Sequence, residues 1–313
     1  MKDSRYIPPQ NLSYEDFPAS AASAEGMKTL PLEEGAVSCC TFYQRRYAVR
    51  ARKEAPAQTL VMHMIFPMEE GKPDKLWPLV VFMQGSAWKK QKLDANLANL
   101  STFARRGYAV AIPEYRTSAD APFPAQVQDA KTAIRFMRKN AERYHIDPDQ
   151  IALWGDSSGG HTAVMAGLTP DEPSLDTDLY GEYSCKVGAV VDYYGPVDIS
   201  TMNFSPSVQD HCGADSPEGL LIGGVSVSDH PELVAPTVTS RYVGEDTPPV
   251  LMLHGDKDRL VPFEQSILLY KTLREKGREV EFYKLAGADH GGSLFWTDRI
   301  LDIVDSFLQK HLG

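Results

Sequence analysis

Long apolar runs and clustered positive charge are both missing from this sequence. Its 313 residues carry a formal net charge of −10, whereas proteins that bind nucleic acid need clustered Lys and Arg to release counterions from phosphates. No segment approaches the roughly 18 consecutive apolar residues of a membrane-spanning helix, and an acidic chain gains no attraction to an anionic bilayer. We therefore predict neither a nucleic-acid partner nor a membrane partner.

Cysteine is scarce as well, with residues only at Cys39, Cys40, Cys185 and Cys212. Four cysteines in a chain of this length form neither a dense disulfide framework nor a Cys-x-x-Cys metal pair. Residues 1–23 lack the apolar core of about 7–15 residues that a signal peptide carries. We therefore predict a cytoplasmic protein for the sequence as it stands. A secretion signal that had been removed would leave no trace in it.

The histidines lack the spacing of a metal site. No His-Glu-x-x-His pattern or comparable set of ligands is present, so we predict no metal and no cofactor. His161, four residues after Ser157, is expected to pack locally. The histidines interpreted as structural are His63, His145, His161, His211, His230, His254 and His311.

The composition is that of an ordinary globular protein, with 42% apolar and 24% charged residues. Residues 1–35 lack periodicity and are predicted to form an irregular arm. Residues 36–313 are predicted to form a single catalytic domain. Within it, residues 195–245 contain many prolines and glycines and are too long for a simple connection, so we predict a cap with short helices.

Apolar runs alternate with helical periodicity along the domain. The apolar runs, which predict buried strands, are Leu60–Phe66, Leu79–Met83, Tyr108–Ile112, Ile151–Trp154, Val187–Tyr194, Val250–His254 and Val280–Leu285. A helical face recurs at three- and four-residue spacing from Val127 to Ala141, and comparable stretches follow Ser158, Phe263 and Phe295. This alternation predicts an α/β protein with a mostly parallel sheet and helices on both faces.

Residues 155–159 read Gly-Asp-Ser-Ser-Gly and fit the pattern G-x-S-x-G. The run 151–154 predicts a strand directly before them, and residues 161–168 predict a helix directly after. This strand–turn–helix context favours Ser157 as a nucleophile. The alternative is a glycine-rich turn in which Ser157 or Ser158 only caps the helix.

A serine nucleophile needs a base to remove its proton and an acid to orient that base. His290 lies in a glycine-flanked loop after the run 280–285 and is the candidate base. Asp256 and Asp258 share the loop after the run 250–253, and either could accept the imidazole N–H. We favour Asp258 as the acid.

Attack on a carbonyl creates an oxyanion, so backbone N–H donors must already face that position. Ser158 is expected to supply one donor. A second is expected from residues 84–88, Gln-Gly-Ser-Ala-Trp, which follow the run 79–83; a plain surface turn is the alternative. Trp88 either packs on this loop or lines the acyl pocket, and we assign it tentatively to substrate binding.

Together these motifs resemble the bacterial esterase branch of the α/β-hydrolases, which includes feruloyl and acetyl-xylan esterases. The segments that carry the resemblance are 84–88, 114–116, 123–130, 155–161, 254–262 and 289–292. The resemblance implies an α/β-hydrolase fold with a cap over the site. The catalytic residues it implies are Ser157 as nucleophile, Asp258 as acid and His290 as base. The oxyanion donors it implies are the backbone N–H groups near Ser86, Ala87 and Ser158.

Two further positions match the family pattern without a catalytic role. Arg116 and Asp129 are expected to brace the fold by pairing. Gln84 departs from the pattern, because the family usually has His at the start of the Gly-rich loop.

The resemblance implies a serine carboxylesterase that acts on acetyl or feruloyl esters of plant polysaccharides, or on small esters. Two alternatives stay open. Residues 254–262 also match the catalytic domain of prolyl-oligopeptidase-type peptidases, although no propeller domain precedes them here. A hydrolase-fold protein that binds without turnover is the other alternative. The oligomeric state is not determined by the sequence, and a homo-oligomer is among the options.

Overall fold

The computed structural model describes residues 6–33, 35–51 and 56–313. The chain divides into two units, residues 1–34 and residues 35–313. Residues 6–33 show turns without a helix or strand, and their side chains are exposed. In the described part of the chain, no helix combines the length and apolar character needed to cross a bilayer.

The second unit is built on an eight-stranded sheet. Its strands are β1 (Val37–Arg50), β2 (Gln58–Glu69), β3 (Trp77–Met83), β4 (Ala109–Pro113), β5 (Ile146–Asp156), β6 (Ala189–Tyr193), β7 (Val250–Gly255) and β8 (Val280–Leu285). The strand order is β1-β2-β4-β3-β5-β6-β7-β8. Strand β2 pairs antiparallel with both β1 and β4, and all the other pairs are parallel. The predicted mostly parallel sheet is confirmed.

Helices cover both faces of this sheet. They are α1 (Leu97–Ala104), α2 (Ala125–Lys139), α3 (Ser158–Leu168), α4 (Pro217–Leu221), α5 (Pro231–Val234), α6 (Glu264–Glu275) and α7 (Asp298–Leu312). Buried side chains of α2, α3 and α6 pack in one apolar cluster, and those of α1 and α7 pack in a second. Burial on both faces explains why the central strands are continuous apolar runs.

The segment 195–245 holds the two shortest helices, α4 and α5. Short 3₁₀ helices at Ile199–Phe204, Ala235–Thr237 and Thr239–Tyr242 complete it. It leaves the sheet after β6 and returns at β7, in agreement with the interruption that its prolines and glycines predict.

The parallel strands bring separate loops to one edge of the sheet. Residues 84–88 follow β3, Ser157 follows β5, Asp258 follows β7 and His290 follows β8. Because the carboxyl ends of parallel strands share an edge, these loops meet there, where open α/β sheets place their ligands.

Candidate active site

Ser157 occupies a sharp turn between β5 and α3. Its backbone angles are φ 52° and ψ −127°, a conformation that an L-residue adopts only when its surroundings force it. A Cβ at Gly155 would lie 2.2 Å from the Gly159 carbonyl oxygen, and one at Gly159 would lie 2.0 Å from the Met83 carbonyl oxygen. The glycines therefore let the turn close, and the Ser157 side chain makes no helix-capping hydrogen bond.

A continuous chain of hydrogen bonds joins Ser157, His290 and Asp258. His290 Nε2 lies 2.9 Å from Ser157 Oγ, and His290 Nδ1 lies 2.7 Å from Asp258 Oδ2. Because the carboxylate can only accept at neutral pH, Nδ1 carries the proton and Nε2 is left to accept the serine proton. The structure thus brings together the three residues predicted as nucleophile, base and acid.

The two aspartates of the β7 loop have different surroundings. Asp258 Oδ1 accepts hydrogen bonds from the backbone N–H groups of Leu260 and Val261, at 2.8 and 2.9 Å. Asp256 Oδ1 instead accepts from the Gly287 N–H at 2.6 Å. Asp258 is the aspartate that contacts His290.

His254, which we interpreted as structural, also contacts the acid. Its Nε2 lies 3.1 Å from Asp258 Oδ2. Burial raises the pKa of Asp258, but the hydrogen bonds from His254 and His290 outweigh burial and hold that pKa well below its usual range. The signal that could have revealed His254 is its place four residues before Asp258, near the end of the strand that precedes the same loop.

The loop 84–88 lies beside the start of α3, and its donors differ from the expected set. The Ser86 N–H, predicted to face the oxyanion, donates instead to Ser158 Oγ at 2.9 Å, and the Trp88 N–H donates to the same oxygen at 3.2 Å. In the described residues, no hydrogen bond is recorded from the N–H groups of Ala87 and Ser158. Ala87 and Ser158 therefore remain as the candidate oxyanion donors.

Trp88 is buried, with 1% of its surface exposed. Its ring packs edge-on against His161, at 5.3 Å between centroids. The structure corrects the tentative assignment to substrate binding, because a side chain enclosed in this way packs under the loop and does not line an open pocket. His161 is buried too, its Nε2 lies 2.8 Å from the Thr237 carbonyl oxygen, and burial lowers its pKa to about 4.

Gln84 and Tyr115 brace the start of the loop. The Tyr115 hydroxyl donates to the Gln84 carbonyl oxygen at 2.7 Å. Gln84 is itself buried, so this position is filled by a neutral amide side chain. Arg116 and Asp129 pair as expected, with Nε 2.9 Å from Oδ2.

The segment 195–245 is bonded to the loop that carries the acid. The Val208 N–H donates to the Arg259 carbonyl oxygen at 2.8 Å, and His211 Nε2 lies 3.0 Å from the Leu260 carbonyl oxygen. His211 Nδ1 lies 2.9 Å from Glu218 Oε1, and both side chains are buried. Burial lowers the pKa of His211, but Glu218 and the Leu260 carbonyl raise it more, so that pKa lies above its usual value.

A cleft of about 590 Å³ adjoins the same loop. Its lining residues are Pro206, Ser207, Val208, Lys257, Asp258, Arg259, Gly287 and Asp289. Among the residues that the structure describes, no group of three or more His, Cys, Asp or Glu side chains is arranged to hold a metal ion.

A family model described as BD-FAE matches residues 63–273, and the match includes Ser157 and Asp258. Esterase LipC of Mycobacterium tuberculosis is 30% identical over 261 residues, which cover 82% of this chain and 63% of LipC. This chain therefore spans less than two thirds of the length of that relative.

Two solved structures have a similar fold at comparable identity. A truncated carbohydrate esterase from gut microbiota superposes with a TM-score of 0.75 at 28% identity, over 90% of this chain and 98% of that one. A bifunctional GH43-CE protein of Bacteroides eggerthii superposes with a TM-score of 0.74 at 31% identity, over 88% of this chain and 38% of that one. The predicted α/β-hydrolase fold is confirmed.

Proposed function

Because this chain belongs to the BD-FAE family, we propose that it is a serine carboxylesterase that works through an acyl-enzyme. The observation that carries the proposal is the hydrogen-bonded chain from Ser157 through His290 to Asp258, at 2.9 and 2.7 Å. Serine is a weak nucleophile unless a positioned base removes its proton. In this proposal His290 is that base, and Asp258 is the acid that orients it.

In the proposed reaction, Ser157 Oγ attacks the ester carbonyl carbon while His290 Nε2 takes the hydroxyl proton. The carbonyl oxygen becomes an oxyanion that the N–H groups of Ala87 and Ser158 stabilise. Collapse of this intermediate breaks the bond to the alcohol, which leaves with the proton from His290. Water, activated by the same histidine, then hydrolyses the acyl-enzyme and restores Ser157.

The proposed substrates are acyl esters of carbohydrates, such as the acetyl or feruloyl esters of plant polysaccharides. This class is supported by the two similar structures, of which one is a carbohydrate esterase and the other a bifunctional GH43-CE protein. We further propose that the segment 195–245 acts as a cap that bounds the substrate, because it is hydrogen-bonded to the loop carrying Asp258.

The test compares purified wild-type protein with Ser157→Ala on aryl acetate, aryl butyrate, methyl ferulate, acetylated xylan and an aminoacyl-proline anilide. We expect ester hydrolysis that falls at least about 1,000-fold in Ser157→Ala. The matched control is Ser174→Ala, since Ser174 is an exposed serine whose hydroxyl, among the described residues, bonds only to Glu172.

The outcomes separate the candidate functions. Serine-dependent turnover of the anilide alone would identify a peptidase, and the absence of any Ser157-dependent turnover would favour a binding protein. The ratio of acetate to ferulate turnover would distinguish the two acyl classes.

A further inference from the structure

A second histidine, His254, contacts the same carboxylate oxygen as the candidate base. His254 Nε2 lies 3.1 Å from Asp258 Oδ2, and His290 Nδ1 lies 2.7 Å from that atom. His254 is the fifth residue of β7 and has no exposed surface. It therefore cannot contact a substrate directly, and its hydrogen bond to Asp258 links it to the candidate base.

The surroundings of His254 determine which ring nitrogen carries a proton. Nε2 faces two acceptors, Asp258 Oδ2 and the Val261 carbonyl oxygen at 3.0 Å. A lone pair on Nε2 would point at the lone pairs of both oxygens, so Nε2 carries the proton. On the other side, Nδ1 lies 2.7 Å from the hydroxyl of Ser266, which can donate to it.

Asp258 consequently receives four N–H donors. Oδ1 accepts from Leu260 and Val261, and Oδ2 accepts from His254 and His290. A carboxylate offers about four lone-pair sites, so all of them are filled. The carboxylate cannot rotate about its axis without breaking several of these bonds.

We propose that His254 is a positioning residue, which fixes the Asp258 carboxylate and draws negative charge away from the oxygen that orients His290. This inference rests on the proposed serine esterase function. If the Nε2 donor of His254 is removed, Oδ2 retains more negative charge and stabilises the imidazolium form of His290 more strongly. The acid limb of the kcat/KM profile, which follows protonation of the free base, should then move to higher pH.

The other ionisable side chains around His290 must be the same in wild type and in every variant of the test. The titratable and charged groups that face or adjoin His290 are Asp258, Asp156, Tyr194, Asp289 and its partner Arg259. Those that face His254 are Asp258 and Tyr194. Substitution of His254 leaves all of these side chains in the protein.

The experiment compares four variants over pH 5 to 9 with an aryl acetate as substrate. His254→Leu removes the donor. His254→Asn is a second variant without the donor, because its shorter side chain does not reach Asp258. His254→Gln can place an amide donor near the original Nε2. Ser266→Ala is the matched control, since it disturbs the other side of the same ring and keeps the Nε2 donor.

We expect the acid limb to move up by about 0.5–1 pH unit and kcat to fall about tenfold in His254→Leu and His254→Asn. His254→Gln should restore most of both values, and Ser266→Ala should keep the wild-type limb. Folding of each variant is checked by its unfolding midpoint. If the Leu variant does not fold, the comparison of Asn with Gln decides the same question.

A readout that does not need activity is the proton NMR resonance of His290 Nδ1–H, assigned by its loss in His290→Ala. It should move in His254→Leu and His254→Asn and stay in place in Ser266→Ala. Folded donor-free variants with the wild-type limb and resonance would overturn the proposal, as would an equal change in Ser266→Ala. If the wild type has no Ser157-dependent turnover, the proposed function fails, and the resonance alone then decides whether His254 positions Asp258.

Discussion

Asp156 links the strand of the candidate nucleophile to the loop beside it. Its Oδ1 accepts a hydrogen bond from the Gly85 N–H at 2.7 Å, and burial raises its pKa to about 6. A Cβ at Gly85 would lie 2.5 Å from the Asp156 carbonyl oxygen, so the loop packs directly on the turn. Asp156 therefore holds the loop that carries the candidate donor Ala87.

Loss of this acceptor should impair the chemical step more than substrate binding. In Asp156→Ala the Gly85 N–H has no partner, and the loop can move away from the position of the oxyanion. We expect kcat to fall about tenfold with little change in KM, because misplaced oxyanion donors cost mainly transition-state stabilisation. Asp156→Asn keeps an oxygen acceptor and should retain kcat within about threefold of wild type. Equal losses in both variants would show that the charge of Asp156 matters and not its hydrogen bond.

The motifs of the sequence and the details of the site differ in how well they can be predicted. Ser157 and His290 could be predicted, because each lies in a glycine-rich turn directly after an apolar run. The structure shows that these runs are parallel strands, whose carboxyl ends share one edge of the sheet. The directions of the Ala87 and Trp88 N–H groups could not be predicted, since these residues have positive φ angles of 54° and 53°. Such angles in residues other than glycine result from tertiary packing, which the local sequence does not encode.

At the scale of elements, the loop after β7, which carries the candidate acid Asp258, is held from two sides. Its carbonyl groups accept hydrogen bonds from Val208 and His211 of the segment 195–245. On the other side, Arg259 pairs with Asp289, the neighbour of His290, at 2.6 Å. Movement of the 195–245 segment would therefore be transmitted to the loop that carries Asp258, the hydrogen-bond partner of His290.

Breaking the His211–Glu218 pair should release this segment. In His211→Gln, Glu218 stays buried without its imidazole partner, and removing one partner of a buried ion pair costs roughly 3–5 kcal/mol in other proteins. We expect faster hydrogen–deuterium exchange in residues 203–218 and 258–262 and a kcat about tenfold lower. The matched control is His230→Gln, because His230 Nδ1 bonds within the segment, to the Ser226 carbonyl oxygen. Faster exchange in 203–218 without any change in 258–262 would contradict the coupling.

The elements themselves could be predicted where burial is two-sided. The seven apolar runs correspond to β2 through β8. Strands β3, β4, β6 and β7 are buried at nearly every position, as expected for strands covered by helices on both faces. The edge strand β8 has no buried residue, and its run was found from Val280, Phe282 and Leu285 instead. Strand β1 was missed, since it lies at the sheet edge and residues 41–46 are exposed. Helix α1 was missed as well, because its eight residues are too few to establish a repeating face.

At the scale of the whole molecule, buried carboxyl groups give opposing contributions to stability as pH changes. Burial raises the pKa of Asp192 to about 7 and that of Asp156 to about 6. A folded-state pKa above the unfolded value of about 3.9 means that the folded state binds the proton more tightly. This stability is complete below about pH 4 and is lost as pH rises through the folded pKa. Asp258 acts in the opposite direction, since its depressed pKa gives stability that is lost as pH falls.

Asp192 is the clearer case for a test, because it is 1% exposed and lies in β6 behind the start of α3. Its Oδ1 accepts from the Gly195 N–H at 3.0 Å, and Oδ2 has no hydrogen-bond partner among the described residues. Asp192→Asn keeps the shape and remains neutral at every pH, so it avoids the cost of ionising this buried group. In urea unfolding, the free energy of unfolding of the variant should exceed that of wild type by an amount that increases between pH 4 and pH 8, by up to roughly 4 kcal/mol for a shift of this size.

Asp258→Asn is the control of opposite sign. Its free energy of unfolding should be lower than that of wild type, and this deficit should shrink as pH falls from 4 towards 3. An Asp192→Asn advantage that stays constant with pH would mean that Asp192 ionises as readily in the folded chain as in the unfolded one.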